Sequence, residues 1–510
     1  MYGGEGMVLK DIFIGEPDGL SEARQDKFID FFYNKNRKYE ELRENKNKFI
    51  VTGRKGTGKT LLAKYYEHQE VKNGHISEYI DKDKVLFCQL QAIGNREVLA
   101  MERGAFITYA IINEIAKIIC QNKKMILAKI NFWKRWKINR KIKNLERWID
   151  QEDLVNFERT SLKNVEQSSI NSKIKGKVDD CEVGSSISLS NEMGFQKSPY
   201  YRHMEQLKAE VLSILPYCVI TLIVDDLDEY DEKVSENSNF TKFLAKFIEV
   251  AYKLNLEIQN YSEQSKIILL FRSDLFEFLH NQSTNLNKYV SNSRVILNWL
   301  NDSNTSQPEK HILMDMIFNK MRNSSEELKM KSNLELYEQF FPKKIKGKEP
   351  LKYLLNFSHG RPRDIVNLLN KIIVKYPDES NFSNDMFMAV EQEYSKDFCN
   401  ELRNEMSLYY SADYINSCFN ILKLIRKSNF WKEEVIQVIN KCSNQLPGIT
   451  NVDEILKTLF KYGVLGNMKV QHNNGNNDIK YYFGYREDGS DIINFNEKFT
   501  VHFALRKALV

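Results

Sequence analysis

Buried parallel strands alternating with helices, an α/β fold, are what this chain predicts, and three stretches carry the prediction. First, residues 48–51 form a short apolar, β-prone run, residues 53–60 read Gly53-Arg54-Lys55-Gly56-Thr57-Gly58-Lys59-Thr60, and residues 61–66 have helix-former composition. Strand, glycine-rich turn and helix in that order form a phosphate-binding unit. Second, residues 219–224 are an almost unbroken apolar run, of the kind buried on both faces of a parallel sheet, ending in Asp225-Asp226-Leu227-Asp228. Third, another apolar run at 266–271 is tipped by Arg272.

The chemistry follows from the spacing. Gly53, Gly56 and Gly58 are expected to let the backbone curl with φ > 0, so that successive N–H groups face one concavity. The following helix adds the partial positive charge of its N-terminus, and Lys59 adds a full charge for β and γ phosphates. The Thr60 hydroxyl is placed to meet Mg²⁺, and Asp225, at the tip of a central strand, to hold the same ion through water. Asp226 stands next to Asp225, and resemblance to hydrolytic P-loop proteins makes it the water-activating carboxylate. Arg54, Lys55, Thr57 and Leu61 complete the expected nucleotide-binding run.

The remaining elements read in order along the chain. Residues 84–89 predict the second strand, and 96–119 a helix through Val98, Met101, Phe106, Tyr109, Ile112 and Ile115. Lys59 and Asp225 are too far apart for one helix, one strand and one helix. The excess falls at about 120–198, a basic block followed by a polar, Ser- and Asn-rich stretch at 160–198. Helices are expected at 200–214 and 240–252, and a short strand at Arg294–Leu297. From about 305 to 410 the pattern is helical, broken by Ser358-His359-Gly360-Arg361-Pro362-Arg363-Asp364, where Pro362 and Asp364 signal a helix start. Beyond it come helices at 414–427, 431–441 and 451–463, then β-prone runs at 468–472 and 479–485 joined by the Asn/Gly turn 473–477. Three units are therefore expected: a nucleotide-binding core at 1–300, a helical lid at 301–410 and a winged-helix-like domain at 411–510.

Composition bounds the function. Hydrophobic residues at 42 % and charged residues at 28 % fit a globular protein. No apolar stretch approaches the roughly 20 residues that span a bilayer, and no basic-then-apolar leader opens the chain. The seven scattered cysteines predict reduced thiols without a metal site, in a cytoplasmic protein with no membrane partner. The net charge of +5 conceals a block at 117–147 with eleven Lys and Arg against one acid, Glu146, accompanied by Trp133, Trp136 and Trp148, three of the chain's five tryptophans. Basic residues with interleaved aromatics bind nucleic-acid backbones. The alternative is a helical hairpin with a solvated basic face and its tryptophans packed on the domain.

Taken together, the phosphate loop, Val224-Asp225-Asp226-Leu227-Asp228, Arg272 and Gly360-Arg361-Pro362 resemble the bacterial P-loop ATPases of the signal-transducing (STAND) and initiator-like branch of the AAA+ group. That resemblance implies a P-loop NTPase sheet with an inserted helical segment, a helical lid and a C-terminal winged helix. It makes Arg272 the sensor that reads the γ phosphate, places Pro362 near the adenine, and leaves Arg361 and Arg363 as candidates for a lid arginine that contacts phosphate. Residues 11–15 match the segment that runs over the adenine pocket in such relatives. The chain departs from the pattern in Glu16-Pro17-Asp18 after that segment and in Asp226 where Glu is usual.

The function expected is an ATP-binding, slowly hydrolysing, Mg²⁺-dependent switch, regulatory in bacterial conflict or antiphage defence, acting with a protein partner or by self-association. ATP is favoured over GTP because no Asn-Lys-x-Asp motif appears. Two alternatives stand beside it. One is a nucleic-acid-binding motor or loader that grips through 117–147 or the C-terminal domain. The other is a scaffold that binds ATP without hydrolysis.

Overall fold

A computed structural model describes residues 7–81, 100–149, 199–227, 238–282, 286–300, 307–449, 451–473, 476–486 and 492–510. The strand expected at 84–89, the polar stretch 160–198, Asp228 and the centre of the turn 473–477 lie outside the described residues.

Five strands form the parallel sheet: β1 (Ile50–Gly53), β2 (Ile76–Ile80), β3 (Ile220–Val224), β4 (Lys266–Arg272) and β5 (Arg294–Leu297), in the order β2-β3-β4-β1-β5. β1 pairs with β4 and β5, and β3 with β2 and β4. The loop-bearing strand and the Asp225-bearing strand are therefore separated by the strand that ends in Arg272.

Successive side chains of each strand point to opposite faces, and both faces are covered. Ile50, Leu222, Val224, Leu269 and Phe271 join one core with helices α2 (Ala100–Gln121), α3 (Phe132–Ile149), α4 (Pro199–Ile214) and α5 (Asn239–Gln259). Val51, Ile223, Ile268 and Leu270 join the other with Leu62, Ala63 and Tyr66 of α1 (Lys59–Lys72). Continuous apolar runs at 219–224 and 266–271 are the consequence of burial on two sides.

The basic block lies partly on α3. Ile138, Ile142 and Leu145 bury one face of this helix in the first core. Trp148 packs beside them, whereas Trp133 and Trp136 are exposed. The expectation that the tryptophans pack on the domain thus holds for Trp148 alone.

A third core belongs to the rest of the chain. It combines α6 (Ile312–Ser324), α7 (Pro362–Lys375) and α8 (Asn384–Met406) with helices Ala412–Ile425 and Val452–Lys461 and with Leu9, Ile12 and Ile14 of the N-terminal segment. The last hundred residues add helix Lys432–Cys442 and an antiparallel sheet in the order β6 (Asn429–Phe430), β9 (Lys498–Val501), β7 (Leu465–Asn473), β8 (Asn476–Tyr482). The β7–β8 ladder runs to the pair Asn473–Asn476, within the run 473–477 that the sequence predicts as a turn. The N-terminal segment is tied to the helical region by backbone: Leu9 N–H donates to Glu379 O (2.7 Å) and Lys10 N–H to Pro377 O (3.0 Å). No helix among the described residues is long and apolar enough to cross a membrane.

Candidate nucleotide-binding site

Residues 53–60 turn from the end of β1 into α1. Gly56 (φ 81°) and Gly58 (φ 92°) take the left-handed conformation expected of them, but Gly53 does not. What requires glycine at 53 is space: a Cβ there would lie 2.4 Å from Thr57 Oγ1. The loop is braced from both sides. Thr57 Oγ1 donates to Arg54 O (2.8 Å), and Trp299 Nε1, just past β5, donates to Thr57 O (3.0 Å). Lys59 Nζ donates to Gly53 O (3.0 Å) and Arg54 O (3.3 Å), so its charge lies over the loop.

The two predicted metal-holding residues meet. Thr60 Oγ1 donates to Asp225 Oδ2 at 2.7 Å, across the gap between the start of α1 and the tip of β3. Tyr79, near the end of β2, donates its hydroxyl to the same oxygen at 2.8 Å, while Asp225 Oδ1 accepts from Asp226 N–H at 2.8 Å. Burial, then the Asp225 charge, push the Tyr79 phenol well above its usual range, so it is a donor at any physiological pH. Asp226 has φ 57°, a conformation that costs a non-glycine residue and persists only where its surroundings impose it.

These groups face a cavity of about 620 Å³, of the size that takes a nucleotide-sized ligand. Its floor is Lys55, Gly56, Gly58, Lys59, Thr60 and Leu61; Tyr79, Asp225, Asp226 and Arg272 form one wall. Pro362 and Arg363, from the start of α7, and Met316 and Lys320, from α6, form the other. Glu16, Pro17 and Asp18 close one end. Residues 11–15 lie along the helical region on their way there: Phe13 N–H donates to Ser324 Oγ (2.7 Å), and Gly15 O accepts from Asn370 Nδ2 (2.9 Å). A smaller apolar recess, lined by Tyr33, Leu61, Trp299, Met316 and Pro362, opens beside the loop. Glu22, buried beneath this end, pairs with Lys320. Burial lowers the lysine pKa and Glu22 partly opposes the shift. Sequence reasoning missed Tyr79, Glu22 and Lys320, because none stands in a motif.

The arginines divide. Arg363 lines the cavity, donates from Nε to Pro17 O (2.8 Å) and pairs with Glu401 at 3.1 Å. Arg272 also lines it, with its guanidinium forked onto Asp274 (3.0 and 2.7 Å) and a further bond to Glu405 O (3.4 Å). Arg361 does not: it is buried between Asp364 (Nη2 2.9 Å) and Glu405, with Nη1 donating to Lys55 O at 3.0 Å. Burial opposes its charge, but the two carboxylates override burial and hold its pKa well above the usual range. Arg54 likewise points away from the cavity. Its guanidinium lies 5.6 Å from the Tyr485 ring centre, and burial lowers its pKa. Tyr485 stacks on His359 (4.2 Å) and shares a hydrogen bond with His502 (3.2 Å), while His359 Nε2 meets Gly463 O at 3.4 Å. The phosphate loop, the Ser-His-Gly-Arg turn and the C-terminal unit thus form one buried joint.

A strand–loop–helix phosphate cradle on a five-stranded parallel sheet, with Thr60 against Asp225, defines a P-loop NTPase-like fold. Residues 311–403 match the family model described as a FunZ-associated C-terminal helical domain. Among solved structures, a Walker-type ATPase of Pyrococcus abyssi aligns over 94 % of this chain and 95 % of its own, at 12 % identity and a TM-score of 0.39. Comparison with curated proteins finds no match.

Proposed function

We propose that the chain is an ATP-binding, slowly hydrolysing switch whose nucleotide site is coupled to its C-terminal unit. The observation that carries the reading is the 2.7 Å bond from Thr60 to Asp225 inside a cavity floored by the phosphate loop. A hydroxyl and a carboxylate at one point are the hard oxygen donors that suit Mg²⁺. When bound, the ion would neutralise phosphate charge. Loop amides, Lys59 and Arg363 would orient the phosphates, and the apolar recess beside Leu61, Met316 and Pro362 would receive the base. Asp226 would accept the proton of the attacking water; its short side chain and constrained backbone support slow turnover.

Coupling is supported by the buried joint. Arg54 belongs to the loop and Tyr485 to the C-terminal unit, so a change in loop conformation changes what Tyr485 packs against. The reading of residues 411–510 as a winged helix is supported by three helices beside an antiparallel sheet, and a role in bacterial conflict or antiphage defence with a protein partner rests on the resemblance to STAND-branch ATPases.

The test is ATP affinity and turnover, with and without Mg²⁺. Lys59→Ala removes the charge over the loop and should weaken ATP binding about ten- to a hundredfold, the worth of one charged hydrogen bond or somewhat more. Asp225→Asn should abolish the Mg²⁺ dependence of turnover. Unchanged affinity and turnover in both variants would overturn the reading.

A further inference from the structure

The outward face of α3 is not used by the nucleotide site. Phe132, Trp133 and Trp136 are 78, 91 and 71 % exposed, in a protein that otherwise buries most of its large rings. Such rings are ordinarily buried, and a cluster of them rimmed by charge marks an interaction surface. The helix is anchored through Ile138, Ile142 and Leu145, with Trp148 and Ile149 packed beside them at its end. At 3.6 residues per turn, Phe132, Trp136, Arg140, Lys143 and Arg147 (i, i+4, i+8, i+11, i+15) form one stripe on the opposite side, with Trp133 flanking it. All six are exposed. The stripe runs for about 22 Å at 1.5 Å per residue.

Among the described residues the charge on this stripe meets no carboxylate. Glu146, the one acid of the helix, is occupied by Lys123 at 2.8 Å, and Arg140, Lys143 and Arg147 have no such partner among those residues. Arg140 instead lies 5.9 Å from the Trp136 ring centre, a cation over an aromatic face.

The geometry points to α3 as a binding surface for single-stranded nucleic acid. Aromatic faces at one end of the stripe offer platforms for unpaired bases, and the cations that continue the same line meet the backbone phosphates. Unpaired strands fit better than duplex, because paired bases hide their faces from Trp133 and Trp136. An anionic membrane fits less well. A helix lying in a bilayer interface keeps one face apolar along its length, whereas here Arg140, Lys143 and Arg147 occupy the line that the rings begin. The surface stands independently of the ATP reading.

Fluorescence anisotropy of the full-length protein with labelled 20-nucleotide dT and U oligomers, without ATP, tests it, with the matching duplex and phosphatidylserine-containing vesicles as comparison arms. Binding should favour the single strands over duplex and fall with salt. Trp133→Ala with Trp136→Ala should weaken it at least about tenfold, since each stacked base contributes on this scale. Arg140→Gln with Lys143→Gln should reduce the log–log salt slope by about 1.4, at roughly 0.7 per single-strand phosphate contact. Thermal unfolding should be unchanged in both variants, because all four residues are exposed. Vesicle binding without oligomer binding, oligomer binding indifferent to loss of the two tryptophans, or no binding to any probe would each overturn the proposal.

Discussion

The phosphate loop carries charge on both of its sides, and the two sides spend it differently. Towards the cavity, Lys59, Thr60, Asp225 and Arg363 are held by a few bonds, several of them to backbone groups, and keep faces on open space. Away from the cavity, Arg361, Asp364 and Glu405 are fully enclosed and satisfy one another, and Arg54 lies against Tyr485. Arg361 and Arg363 show the contrast within three residues: one locks the fold and the other lines the site. Direction relative to the loop, which a motif does not encode, decides whether an arginine serves a ligand or the packing.

The largest effect should come from breaking that contrast. Arg361→Ala leaves two buried carboxylates without their cation and should cost about 3–5 kcal/mol of stability. Arg363→Ala removes a partly exposed pair with Glu401 and should cost about 1 kcal/mol or less. It should nevertheless weaken ATP binding. Denaturant midpoints and ATP dissociation constants for both variants give the answer. Equal losses of stability would erase the distinction between the two arginines.

Much of this molecule was legible because burial leaves a pattern. β1, β3 and β4 have neighbours on both edges, and β5, itself at an edge, still carries the apolar run Val295-Ile296-Leu297, so all four are marked in the sequence. β2 escaped for the opposite reason. It is an edge strand, Ile76-Ser77-Glu78-Tyr79-Ile80, whose polar members interrupt any run. Tyr79 went with it. The glycine-rich turn could be read from its spacing and Asp225 from its place at the tip of a buried run, and the fold brings Thr60 to Asp225. The joint could not be read, since His359, Tyr485 and His502 come from separate elements that only the tertiary packing brings together. Arg361 was read as a ligand candidate for the same reason: its partner Glu405 lies on another helix.

The joint should also respond to acid. Burial holds the His359 and His502 imidazoles well below their ordinary pKa, and neighbouring cations add to the shift: Arg54 and Arg361 at His359, Arg486 and Arg506 at His502. Both are therefore neutral in the folded chain, whereas the unfolded chain protonates them near pH 6.5. More protons bind the unfolded state below that pH, so stability is retained above about 6.5 and falls as pH drops. The two histidines together give a slope of up to about 2.7 kcal/mol per pH unit. His502→Gln should roughly halve their share of the slope of the denaturant midpoint between pH 7 and 5.5. A slope untouched by the substitution would mean that His502 takes up its proton without opening the joint.

The smallest effect sharpens the cavity side. Tyr79 touches Asp225 through one hydroxyl, and its ring is packed between α1 and the sheet with Lys64 3.8 Å over its face. Tyr79→Phe keeps the ring and deletes only the donor. Asp225 Oδ2 then retains Thr60 but loses the bond that holds it when Thr60 turns to a cation. The cost should be about 1 kcal/mol, close to a fivefold change. If Tyr79 positions the carboxylate, the Mg²⁺ concentration for half-maximal ATP turnover should rise about fivefold, with ATP affinity in the absence of Mg²⁺ unchanged. A general packing role would instead lower both together, along with the unfolding midpoint. The separation between those outcomes assigns the phenol to the site or to the core.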